Sequence, residues 1–369
     1  MKRAIYALSA DPITFGHINI INRASEMFDE LVVAIGDNPQ KTYTLEAEER
    51  LKIVKKYFEK NKNISVYYFN GALVDFSYKV GANIIVRGLR NINDFQYEQE
   101  LAAINKSLKP NLETCFILTE PNQSHVSSSS SKSLVKAFFS ASEYLPVISK
   151  KALEIKINEQ KYIGITGLMG SGKSYIAEEL DKKYSDVFNV DLDSLCNEVY
   201  NEENKAFSVT RENILNTFGT LNKKEIGKVV FSDPVKLKAL NVIFEEPLKI
   251  LIRDFCKGKK GFILLNGATL VAENFLSYVN NQIIFVDTEK ELRYERCKKG
   301  RSIDQEIIEA RDKIMISAKN QISITKEKIK KDNYGKIIVV KNNDVMTNNK
   351  DEYINIDWIY EEMVKLSEI

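Results

Sequence analysis

The chain has 369 residues, 44% apolar, 10% aromatic and 28% charged, a length and composition suited to two domains with separate cores. Its 53 basic and 51 acidic residues leave a formal charge of +2, without the basic excess of a general nucleic-acid or membrane-surface binder. The four cysteines form no CxxC pair, and no apolar run reaches the roughly 18 residues of a membrane span, so neither a zinc site, a disulfide framework nor a membrane partner is expected.

The start, "MKRAIYALSADP", breaks its short apolar run at Asp11 and Pro12 and is no secretion signal, which makes a cytoplasmic protein the expectation. Residues 3–9 then read as a strand, 17–28 as a helix and 30–36 as a β-branched strand. Helical spacing over 48–58 puts Leu51, Val54 and Phe58 on one stripe. Strands follow at 64–69, 83–88 and 113–119, with a helix at 73–81. The serine-rich stretch 124–136 leads into a helix, and 144–160 is mixed. The pattern restarts with a strand at 161–167, a glycine loop and a helix, then strands at 187–191, 261–267, 282–287 and 336–340 and a closing helix. Alternating strands and helices predict an α/β fold with two parallel-sheet domains, 1–157 and 158–369.

The loop "GLMGSGKS" fits G-x(4)-G-K-[ST] through Gly167, Gly172, Lys173 and Ser174. Glycines let successive N–H groups turn inward onto phosphate oxygens, and the following helix adds its positive end. The predicted ATP site therefore takes Gly167, Met169, Gly170, Ser171, Gly172, Lys173, Ser174 and Tyr175. Lys173 reaches the β- and γ-phosphates, and Ser174 ligates Mg²⁺.

The stretch from Ile165 to Tyr200 resembles the start of dephospho-CoA kinases, whose loop precedes a D-x-D pair, here Asp191 and Asp193. Either aspartate can serve as the base that takes the proton of an attacking sugar hydroxyl. The resemblance continues through "VFSDP" and into an arginine-rich lid, with Arg296, Arg301 and Arg311 as candidate polyphosphate partners. It departs at Asn222-Lys223, Glu246-Pro247 and "NGATLV" (266–271), on the side that meets the acceptor.

In the first half, Thr14-Phe15-Gly16-His17 fits the [HT]-x-G-H turn of nucleotidyltransferases. "NPQK", "FNGALVDF" and "VRGLRNINDFQYEQELAAIN" resemble phosphopantetheine adenylyltransferases from residue 1 to about 147. The resemblance implies that Ser9, Lys41, Leu73, Arg87 and Asn105 face 4′-phosphopantetheine. It sets Ser9, His17, Gly88, Arg90, Glu98, Ser127, Ser128 and Ser129 against ATP, with His17, Lys41 and Arg90 holding transition-state charge. Composition alone makes the serine run a linker; the resemblance makes it a phosphate-binding helix start. Leu8 stands where the family has glycine, and Ala10 where it has an aromatic.

Together the halves imply consecutive reactions. ATP and 4′-phosphopantetheine give dephospho-CoA, and a second ATP phosphorylates the ribose 3′-hydroxyl. Mg²⁺ is the implied cofactor, and a homo-oligomer built through the first half is the implied assembly. The rival reading keeps one half active and makes the other a nucleotide-binding regulator or scaffold.

Overall fold

The computed structural model describes residues 2–123, 126–271, 275–301, 305–343 and 354–368. His125 lies outside them. The chain divides into two compact units, Met1–Asn158 and Glu159–Ile369.

The first unit is a five-stranded sheet in the order β3-β2-β1-β4-β5. Its strands are β1 (Arg3–Leu8), β2 (Glu30–Gly36), β3 (Ile64–Phe69), β4 (Ile84–Leu89) and β5 (Glu113–Leu118). All pair in parallel, in registers such as Ile5 opposite Val32 and Ile85. Crossovers run through α1 (Phe15–Met27), α2 (Ala47–Phe58), α3 (Leu73–Lys79) and α4 (Ile92–Leu108), and α5 (Ser128–Lys136) and α6 (Val147–Asn158) close the unit. A parallel sheet covered on both faces needs strands that are apolar almost throughout. β2 meets this, with every residue after Glu30 buried, whereas edge strands β3 and β5 are only partly buried. Ile5, Val32, Ala34, Ile85 and Leu112 share one core cluster.

The stripe of α2 differs from its sequence reading. The buried positions are Arg50, Ile53, Val54 and Phe58, while Leu51 is half-buried. An arginine takes a core position because polar partners, described below, await its guanidinium. The serine run is helix rather than linker: Ser127 caps α5 by accepting from Ser130 N at 3.0 Å.

The second unit is a parallel sheet in the order β10-β9-β6-β8-β7. Its strands are β6 (Gln160–Thr166), β7 (Val187–Asp191), β8 (Gly261–Asn266), β9 (Gln282–Asp287) and β10 (Lys336–Lys341). The first half of the connection layer holds α7 (Lys173–Lys183), α8 (Leu192–Tyr200), α9 (Ser208–Phe218), α10 (Lys223–Val230) and α11 (Pro234–Cys256). After β9 come α12 (Lys290–Arg301), α13 (Gln305–Ile314) and α14 (Ala318–Asp332), and α15 (Ile356–Ser367) ends the unit. Ile163, Ile165, Ile176, Leu180, Leu264, Ile284 and Met363 pack in one cluster that fixes β6 against α7 and α15. Among the described residues, no helix is long and apolar enough to cross a membrane.

In both sheets the first strand is central and the strand order reverses beside it. Ligands of such sheets bind at the carboxyl ends of the strands at that switch point.

Candidate functional sites

In the first unit the chain leaves β1 and enters α1 through a cleft of ≈ 940 Å³. Thr14 caps α1, and the cap is reciprocal: Thr14 Oγ1 accepts from His17 N at 3.4 Å, and Thr14 N donates to His17 Nδ1 at 3.1 Å. A backbone N–H can only donate, so Nδ1 is the unprotonated nitrogen and Nε2 carries the hydrogen. Burial first, then the charges of Arg90 and Lys41, push the imidazole pKa down from 6.5 to about 4. His17 is therefore a neutral hydrogen-bond donor at pH 7.

Ser9, His17, Lys41, Leu73, Arg87, Gly88, Arg90, Glu98 and Ser127 to Ser129 all line this one cleft. Asn105, on α4, is not among its lining residues. Arg87 bridges strands and helix: Nη1 donates to Ala7 O at 3.1 Å, and Nε lies 2.7 Å from Glu98 on α4. Glu98 is thereby the partner of Arg87. Arg90 is gripped in bidentate fashion by Asp94, at 2.9 and 3.2 Å. Burial opposes charge on Asp94, but Arg90 prevails and holds its carboxyl below the usual carboxylate range. The start of α5 supplies Ser128, whose hydroxyl donates to Pro12 O at 2.9 Å, and the first helical N–H groups, which have no partner within the helix. Leu8 also lines the cleft, and Ala10, buried, adopts φ 52 in the left-handed region.

Sequence reasoning missed the groups that hold these loops. Asp11, 5% exposed, accepts from Thr44 N at 3.0 Å and Leu45 N at 2.9 Å, and pairs with Lys132 at 2.9 Å. Arg50, 1% exposed, donates to Ser9 O at 2.7 Å and Leu45 O at 3.2 Å and pairs with Asp37. Its guanidinium lies 4.2 Å above the Tyr43 ring. The signal was available: Arg50 stands three and four residues before Ile53 and Val54, on their face of the helix. The outcome is a cleft ringed by Lys41, Arg87, Arg90 and Lys132, with hydroxyls and a helix N-terminus at one end, suited to a polyphosphate.

In the second unit the loop between β6 and α7 curls through left-handed glycines, Gly170 at φ 80 and Gly172 at φ 91. A Cβ on Gly170 would lie 2.5 Å from the backbone Arg293 O, so no side chain fits there, and the φ of Gly172 is one that L side chains rarely adopt. The loop is clasped from outside. Ser171 O accepts from Asn342 Nδ2 at 2.8 Å and Thr288 Oγ1 at 3.0 Å. Met169 O accepts from Arg293 Nη1 at 3.0 Å, and Arg293, 4% exposed, is paired with Asp312 at 2.6 Å. Lys173 and Ser174 open α7, with Lys173 buried and Tyr175 half exposed. Arg296 donates to Asn342 Oδ1 at 3.3 Å, next to the loop, and the Arg311 guanidinium lies 4.2 Å from the Phe231 ring. Arg301 ends α12; its side chain lies outside the described residues.

The two aspartates differ. Asp191, at the carboxyl end of β7, caps α8 by accepting from Ser194 N at 2.8 Å, and its other oxygen accepts from Asn266 Nδ2 at 3.2 Å. Asn266 is 1% exposed, and in the sheet it stands opposite both Ile165 of β6 and Asp191. Asp193 lies in the first turn of α8 and is exposed. At the other departures, Asn222 caps α10 and Glu246 pairs with Lys249 on the surface of α11.

Two parallel α/β units, each with a phosphate-binding turn after its central strand, define a pair of nucleotide-using transferases. Residues 6–133 match the family Cytidylyltransferase-like, and residues 161–337 match Dephospho-CoA kinase. The phosphopantetheine adenylyltransferase of Staphylococcus saprophyticus subsp. saprophyticus is 41% identical over 157 residues, 42% of this chain and 98% of the relative. Those of Caldanaerobacter subterraneus subsp. tengcongensis and Clostridium botulinum are each 39% identical, over 155 and 161 residues, covering 97% and 98% of the relatives and 42% and 44% of this chain. The chain belongs to the phosphopantetheine adenylyltransferase family in its first unit and to the dephospho-CoA kinase family in its second, the architecture of a fused, bifunctional CoA synthase.

Proposed function

We propose that each unit binds its own ATP and that the product of the first cleft is the acceptor of the second. The chain is a phosphopantetheine adenylyltransferase and a dephospho-CoA kinase, and it carries out the last two steps of CoA biosynthesis. The convergence of His17, Lys41, Arg87, Arg90 and Ser127 to Ser129 on one cleft carries our residue assignment for the first step.

There, a phosphate oxygen of 4′-phosphopantetheine attacks the α-phosphorus of ATP in line. The α–β bridge breaks and pyrophosphate leaves with the electron pair. Nothing in this step requires an enzyme nucleophile; positioning and charge stabilisation suffice. His17 Nε2–H and the Lys41 ammonium donate to the α-phosphate oxygens as charge builds there. Arg90 and the N-terminal N–H groups of α5 hold the β- and γ-phosphates. Arg87 and Ser9 orient the acceptor.

In the second unit the ribose 3′-hydroxyl attacks the γ-phosphorus of the other ATP, and ADP leaves. We assign Asp191 as the base, because Asn266 and the α8 N-terminus fix both its oxygens while Asp193 faces solvent. Lys173 holds the β- and γ-phosphates, and Arg296 and Arg301 of α12 are assigned to the same phosphates by resemblance. Ser174 carries a hard oxygen donor of the kind Mg²⁺ takes one or two at a time beside phosphates and would hold the ion, which would neutralise phosphate charge during the transfer.

The base assignment has a direct test. Asn266→Asp sets a second carboxylate about 3 Å from Asp191, and such a pair holds a proton to higher pH. The acid limb of the kinase pH profile is expected to move up by about one unit or more while the first step is unchanged. A limb that stays in place removes Asp191 from the role.

We also propose that the first unit self-associates. Helix α4 packs on β4 and β5 yet has no buried residue, and Ile92, Ile104 and Leu108, with Leu118 of β5, are more than half exposed. A second copy of this surface is the occupant, and light scattering should give a mass above that of one chain; a monomer at micromolar concentration contradicts it. Two of the four cysteines are buried, and we place the enzyme in the reducing cytoplasm.

A further inference from the structure

We propose that the phenol of Tyr43 is a substrate-binding group of the adenylyl-transfer cleft, donating a hydrogen bond to the phosphate of 4′-phosphopantetheine beside Lys41 and Ser9. The inference rests on the reading of this cleft given above and assigns it a further residue.

Tyr43 lies on the loop between β2 and α2 and lines the cleft together with Ser9 and Lys41. Its ring is fixed from behind. The Arg50 guanidinium covers one face at 4.2 Å, and Arg50 itself is 1% exposed and tied to Ser9 O, Leu45 O and Asp37. A planar cation pinned at several points makes a rigid seat, so the phenol oxygen has one direction to point.

At that oxygen the hydrogen-bond roles are settled by chemistry. Asn38 N donates to it, and a backbone amide can only donate, so the phenol oxygen accepts and its own hydrogen must go elsewhere. The neighbour within reach is Ser9 Oγ at 3.4 Å, the outer edge of hydrogen-bond distance. Two hydroxyls thus stand side by side at the cleft wall, close enough to share one phosphate oxygen between them. Lys41 is on the same loop and brings the positive charge that a phosphate dianion needs.

Tyr43→Phe keeps the ring over Arg50 and removes the hydroxyl, which is both the donor to phosphate and the acceptor for Asn38 N; a loss that acted only by loosening the loop would also lower the thermal midpoint and weaken pantetheine inhibition. Steady-state kinetics of the first step, on the intact chain, should show KM for 4′-phosphopantetheine raised about 10- to 100-fold, as for loss of a hydrogen bond to a charged group. KM for ATP, the rate of the kinase step and the thermal midpoint should match wild type. Pantetheine, which lacks the phosphate, should inhibit both proteins equally. A phosphopantetheine KM within about twofold of wild type overturns the inference, as does pantetheine inhibition that weakens in parallel. A wild-type chain that forms no dephospho-CoA overturns the reading of the cleft itself, and the role of Tyr43 with it.

Discussion

Lys173→Ala is expected to halt the pathway at dephospho-CoA, which should accumulate at the wild-type rate while CoA formation falls by about 10³-fold. Lys173 begins α7 inside a loop whose carbonyls are already engaged: Ser171 O by Asn342 and Thr288, Met169 O by Arg293. The loop is therefore shaped before nucleotide arrives, and the lysine is the charge it presents to the transferring phosphoryl group. Removing a preorganised donor from such a site typically costs about 10²–10³ in rate, and a cation on the γ-phosphate is worth about 10³–10⁵ in related phosphoryl transfers. Because the chain forms two units, each with its own core, the first reaction has no reason to respond. Separate assays of pyrophosphate and ADP release check this. Equal loss of both products, in a protein with an unchanged thermal midpoint, contradicts the division of labour.

His17→Ala should do the reverse, lowering dephospho-CoA formation about 10²–10³-fold and leaving phosphorylation of added dephospho-CoA intact. The imidazole works as a neutral donor, which sets the pH dependence. Its folded pKa of about 4 is below the ordinary 6.5, so the neutral form persists throughout the working range. The first step should show no inflection near 6.5; activity that depends on His17 is lost only as pH falls towards 4. The same shift affects stability. Between about 4 and 6.5 the unfolded chain binds this proton and the folded chain does not, so the fold gains stability as pH rises through that window and the effect is complete above it. His17→Ala should flatten that part of the stability profile. An inflection in rate near 6.5 that vanishes in His17→Ala means the ring acts as an acid or base instead.

The parts of both sites that were legible in the sequence are contiguous. A phosphate loop and a [HT]-x-G-H turn are local devices: glycines, a helix start and a hydrogen-bond-donating side chain within ten residues carry their own chemistry. The strands were legible for a similar reason, since parallel strands buried on both faces are apolar throughout. What stayed hidden depends on residues brought together by the sheet. Arg50 owes its core position to partners on the Ser9, Asp37 and Leu45 loops, which only the folded sheet brings to it. Asp11 pairs with Lys132 across more than a hundred residues. Asn266 serves Asp191 only because β8 lies between β6 and β7. Our choice of Asp191 over Asp193 likewise turns on two residues of register: the first is the cap of α8 and the second lies exposed in its first turn. Asn105, assigned by resemblance alone, falls outside the cleft lining.

Joining the two units on one chain keeps the acceptor of the kinase near its source, a concentration effect that needs no contact between the sites. The claim beneath all of this is that two ATP molecules are spent differently by two clefts. Mass spectrometry of the product made by the intact chain, from 4′-phosphopantetheine and ATP carrying heavy oxygen in its outermost phosphate, tests it most directly. The expected product is heavier than the starting compound by one adenylyl and one phosphoryl group, with the label confined to the phosphoryl group. A product that stops at the adenylyl addition, with ample ATP remaining, contradicts the claim.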